Sequence, residues 1–60
     1  MTLREYFDEQ GFEFFRMIVV YEDGVLIGRL PVSTWRRSKY KDREVLEVDG
    51  YVILVRGVSI

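Results

Sequence analysis

Apolar positions recur along this chain with two different periods. At the amino end, Leu3, Tyr6 and Phe7 stand at i, i+3 and i+4, with Arg4, Glu5, Asp8 and Glu9 around them. That spacing gives a helix one dry face and one wet face. Thr2 with Glu5 three residues later is a capping-box pair, and Gly11 is the left-handed stop common at helix ends. A helix is predicted over residues 3–10.

Beyond Gly11 the chain becomes β-branched and aromatic. FEFFRMIVVYE and VLIGRLP flank Asp23-Gly24, while REVLEV and YVILVRG flank Asp49-Gly50. Asp-Gly between such runs is a strong hairpin signal. Strands are predicted at about 13–22, 25–31, 43–48 and 51–56. Residues 32–42 join the hairpins as a loop, with one helical turn starting near Ser33 or Thr34. The expected fold is α+β, one amino-terminal helix packed on a four-stranded antiparallel sheet made of two β-hairpins, forming a single domain over residues 1–60.

Two-residue turns at both Asp-Gly pairs set a register and hence the faces. Tyr21 then opposes Leu26, Val19 opposes Gly28 and Met17 opposes Leu30, with Phe15 continuing that face. Gly28 reads as room for Tyr21 or the helix to approach closely. In the second hairpin Leu46, Val48, Tyr51, Ile53 and Val55 share a face. These cleaner faces are the expected core, under Leu3, Tyr6 and Phe7. The reverse side carries Ile18, Val20, Val25, Ile27, Val45, Val52 and Leu54, more aliphatic surface than open water tolerates well. Either the sheet closes on it or a second chain covers it, and Ile18, Val20, Ile27 and Leu54 are the expected dimer interface. Arg16, Arg29, Arg43 and Arg56 fall on the same reverse side, with Arg43 opposite Arg56.

With 60 residues and no cysteine, the domain has no disulfide staple and rests on its core or on oligomerisation. At 48% hydrophobic and 15% aromatic, a dense core is available. No apolar run is long enough to cross a bilayer as a helix. Acids occupy the start, where a secretory leader needs bases. Met1 beside a helix-start signal reads as a complete small gene product, expected to be soluble and cytoplasmic.

Without histidine or cysteine, the commonest general bases, nucleophiles and metal ligands are missing. The acids sit in turns or along the exposed helix, and no glycine pattern matches a phosphate cradle. Neither enzyme activity nor a metal or other cofactor is expected.

Charge supplies the one further clue. Residues 1–23 hold six acids against two arginines, whereas WRRSKYKDR, residues 35–43, holds five bases against Asp42. Such a dipole favours docking to a complementary surface. Trp35, Arg36, Arg37, Lys39 and Tyr40 are the expected partner-contact loop, with Arg29, Arg43 and Arg56 the second choice. The same loop supports an alternative, phosphates on the bases and nucleotides stacked on Trp35 and Tyr40. A sequence pI near 5.3 argues against that alternative.

The layout TLREYF, FRMIVVYEDGVLIGRLPVSTW and SKYKDREVLEVDGYVILV resembles small open reading frames carried by phages and prophages of Gram-positive bacteria. The resemblance implies a context, an accessory protein that binds a host protein, as anti-CRISPR inhibitors of nucleases do. The expected function is therefore stoichiometric binding that inhibits or modulates a host nucleic-acid enzyme. Direct nucleic-acid binding and a self-assembling structural role are the alternatives.

Overall fold

The computed structural model describes residues 1–57, so residues 58–60 of the expected domain lie outside the described part. Helix α1 spans Leu3–Gln10, as its periodicity predicts. Its capping box is complete: the Thr2 N–H donates to Glu5 Oε1 (2.8 Å) and the Glu5 N–H to Thr2 Oγ1 (3.2 Å). Gly11, at φ +67°, ends the helix and returns its N–H to the Phe7 carbonyl. Strands follow at Met17–Glu22 (β1) and Val25–Pro31 (β2), then a single helical turn at Val32–Trp35 (α2). A 3₁₀ turn at Lys39–Asp42 leads into Val45–Asp49 (β3) and Val52–Val55 (β4).

The strands form one sheet in the order β2-β1-β4-β3. Within each hairpin the pairing is antiparallel, but β1 and β4 lie side by side in parallel. The sheet is therefore mixed rather than wholly antiparallel. Asp-Gly turns settle pairing inside a hairpin, while hydrophobicity decides which strand of each hairpin goes inside. MIVVYE and VILV are the more continuous apolar runs, as buried central strands require. Pro31 ends β2, and Glu47 and Asp49 mark β3, features of edge strands. Residues 1–3 close against the start of β3: Thr2 bridges Glu44, and the Val45 N–H donates to the Met1 carbonyl (2.8 Å).

One face of the sheet is dry. Ile18 and Val20 of β1 and Ile53 and Val55 of β4 are buried beneath Leu3, Phe7, Val32 and Trp35. Ile53 and Val55 thus face the core as expected, but Leu46 and Tyr51, expected beside them, are exposed, Val45 packs inward in their place, and the first hairpin presents the opposite face. A bulge explains the reversal. Tyr21↔Leu26 and Glu22↔Val25 pair as expected, around a turn with both Asp23 (φ +50°) and Gly24 (φ +82°) left-handed. Past Tyr21 the register shifts by one, so Val20 meets Gly28, Val19 meets Arg29 and Ile18 meets Leu30. Arg29 leaves the Ile18 face, which becomes the cleaner one.

In the second hairpin Asp49 pairs with Val52, placing Gly50 and Tyr51 in the turn instead of Asp49 and Gly50. A second bulge, between Val45 and Glu47, lets Arg56 meet Glu44, its N–H donating to the Glu44 carbonyl (2.9 Å), so the expected opposition of Arg43 to Arg56 does not occur. Space around Gly28 is open rather than tight, since a Cβ there meets nothing within 4 Å.

Candidate interaction site

Residues 13–16, expected as strand, instead make a turn pinned to α2. The Arg16 N–H donates to the Glu13 carbonyl (3.0 Å), the Ser33 N–H to Phe14 (3.0 Å) and the Val32 N–H to Arg16 (2.9 Å). This clamp holds two adjacent aromatic rings in water, with Phe14 68% and Phe15 73% exposed. Phe14 borders an open groove of about 250 Å³ with Ser33, Arg36 and Arg37. Phe15 borders a second, of about 390 Å³, with Arg16, Met17, Arg29 and Tyr51. An aromatic ridge therefore stands between two arginine-lined grooves.

The arginines differ in freedom. Arg36 is ion-paired with Asp8 of α1. Arg16 donates to the Tyr51 hydroxyl (2.8 Å) and stacks its guanidinium 4.7 Å from that ring. Among the described residues Arg37 reaches only the Ser33 carbonyl at 3.4 Å, a long contact that leaves the guanidinium exposed. Arg29 has no ion-pair partner among the described residues.

The basic loop is largely folded inward. Trp35, expected at a partner contact, is completely buried and its Nε1–H donates to the Ile18 carbonyl (2.9 Å). Tyr40 is half-buried, edge-on to Trp35 with ring centroids 5.9 Å apart. The Ser38 hydroxyl donates to the Trp35 carbonyl (2.8 Å) and accepts the Tyr40 N–H (3.2 Å), fixing both residues locally. The Lys39 ammonium and the Arg43 guanidinium each lie over the Tyr40 ring, 5.3 and 5.4 Å from its centroid. Arg43 also pairs with Glu22 (2.8 Å) in a partly buried bridge. Lys41 bonds Asp42 (2.8 Å) and, with lesser help from nearby arginines, holds that carboxyl below its ordinary range. Of the expected contact residues, only Arg36, Arg37 and Lys39 remain on the loop surface.

The second-choice set is dispersed. Arg29 is on the open side of the sheet, Arg43 is clasped to β1, and Arg56 pairs with Glu44 (3.1 Å) at the open end of the second hairpin. Of the expected dimer residues, Ile18 and Val20 are core, Ile27 packs partly against it, and Leu54 alone faces outward beside Val52.

Phe14 and Phe15 lie within the expected strand 13–22, which gives them no exposed role. Successive strand residues point to opposite faces, so a Phe-Phe doublet beside Glu13 could not have kept one face dry. That broken alternation was the available signal.

Among the described residues no three Asp or Glu side chains cluster as metal ligands. No described helix is long and apolar enough to cross a membrane. No protein-family model, curated protein or solved structure matches the chain.

Proposed function

We propose that the chain is a non-enzymatic protein-binding module that docks an acidic, partly apolar surface of another protein through Phe14, Arg36 and Arg37. The observation that carries this is the pair of exposed phenylalanines on a hydrogen-bonded turn beside arginines. Aromatic and arginine side chains dominate the energetically decisive positions of interfaces, and a ring fixed in advance loses little entropy on binding. In the setting implied by the resemblance, the module acts in the bacterial cytoplasm as a phage-type accessory protein. Its target there is a host nucleic-acid enzyme, which it inhibits or modulates.

Direct nucleic-acid binding has less support. Three of the five bases in residues 35–43 are ion-paired with carboxylates, and both aromatics of that loop pack inward. Capture from bacterial lysate, with and without nuclease, separates the readings. The expected outcome is a protein retained after nuclease and lost with Phe14→Ala or Arg37→Glu, each still folded by circular dichroism. Retention unchanged in both variants would overturn the site. Affinity for an oligonucleotide that falls steeply with salt would favour nucleic acid instead.

A further inference from the structure

The helices and the buried core lie on one side of the sheet, and none of the described strand residues on the other side is fully buried. Alternation about buried Ile18, Val20, Ile53 and Val55 directs Val19, Tyr21, Val52 and Leu54 to that side. The pairings arrange it in rows across all four strands. One row runs Arg29, Val19, Val52, Asp49, and the next runs Leu26, Tyr21, Leu54, Glu47. Each row has an apolar centre. The β2 edge carries Arg29, the β3 edge carries Asp49 and Glu47, and none of the three has an ion-pair partner among the described residues.

We infer that this face binds a second copy of the chain, sheet against sheet, about a two-fold axis parallel to the strands. Such an axis reverses the strand order of one sheet above the other and leaves each row facing itself. Arg29 then meets Asp49 of the other copy, with Glu47 one row away. Val19 meets Val52, and Tyr21 meets Leu54. Sheets packed face to face stand about 10 Å apart, a gap that an arginine arm from one side and a short carboxylate from the other can span. The other in-plane axis, perpendicular to the strands, keeps each strand over its own copy, so that an axis over this row sets Arg29 on Arg29 and Asp49 on Asp49. Like charges so placed oppose that alternative. A two-fold contact must be complementary to itself, and opposite signs on opposite edges of one apolar row satisfy that condition. Phe14 and Arg37 beside α2 do not contribute to these rows, whereas Phe15 borders the groove that Arg29 lines.

Sedimentation equilibrium of the full chain tests the arrangement. Wild type is expected at twice the 7.2 kDa chain mass. Arg29→Asp and Asp49→Arg each set like charges face to face and are expected to weaken self-association about tenfold or more. An equimolar mixture of the two variants restores both opposite-charge contacts, so it is expected to form the heterodimer. Monomeric wild type up to about 1 mM overturns the inference, because interfaces of this kind are far tighter. Full self-association in both variants overturns it too, assigning the contact to another surface such as the β2 edge. Should either variant fail to fold, amide shifts on dilution of wild type decide. Changes centred on Val19, Tyr21, Val52 and Leu54 support the face, and changes elsewhere or none overturn it.

Discussion

Trp35 shows how one side chain can change meaning between sequence and structure. Flanked by arginines, it reads as an exposed anchor; folded, its ring fills the space above Ile18 and its N–H serves a backbone carbonyl. Burial of so much apolar surface outweighs the polar character of its neighbours. Trp35→Phe removes the donor and leaves a void, and is expected to cost about 1–3 kcal/mol in urea unfolding. A domain of this size has only about 3–9 kcal/mol in total, so the change should be conspicuous. Gly28 makes the converse case. It lies in a strand, has no left-handed torsion and borders open space. Gly28→Ala is therefore expected to stabilise by about 0.4–1 kcal/mol, read from the same denaturation curves.

At the level of elements, local signals were the most legible. The Thr2–Glu5 box, the Gly11 stop, the Asp23-Gly24 turn and the helical turn after Pro31 all follow from neighbours in sequence. The box also carries a pH dependence. The Thr2 N–H bonded to the Glu5 carboxylate holds it below the ordinary glutamate range, helped by the Thr2 hydroxyl and more weakly by the amino terminus. A depressed folded-state value contributes stability above the unfolded glutamate value and loses it as pH falls through the folded one. Helix stability should therefore drop below the ordinary glutamate range, and Glu5→Gln should flatten that part of a melting-temperature profile between about pH 7 and pH 3. An identical acid slope in both proteins would refute it. What local signals left out were the bulge beyond Tyr21 and the Gly50–Tyr51 turn, each a one- or two-residue adjustment imposed by packing. Such slips are enough to exchange the faces of a hairpin.

For the whole molecule, part of the charge asymmetry closes on itself. Asp8 and Glu22 from the acidic portion meet Arg36 and Arg43 from the basic one, tying α1 and β1 to the connection between hairpins. Totals along a sequence show the imbalance but not which charges will close on one another. A double-mutant cycle on Glu22 and Arg43 should give a coupling of about 1 kcal/mol, near the upper end for surface pairs because both groups are partly buried. The candidate site was less legible than the fold: Arg36 and Arg37 stood out by composition, whereas Phe14 and Phe15 acquire their exposure from a turn clamped by Ser33 and Val32. The parallel pairing of β1 with β4 was also hidden, since it joins residues about thirty positions apart that no turn signal connects. It has a bearing on how the chain assembles. The strand formed from the last described residues is an inner plank of the sheet, not its border. A chain lacking residues beyond Gly50 would leave Ile18 and Val20 without Ile53 and Val55, so folding cannot proceed by adding finished layers from one end. The dry face of the first hairpin is complete only once this distant neighbour is in place, a closure whose entropic cost precedes its reward.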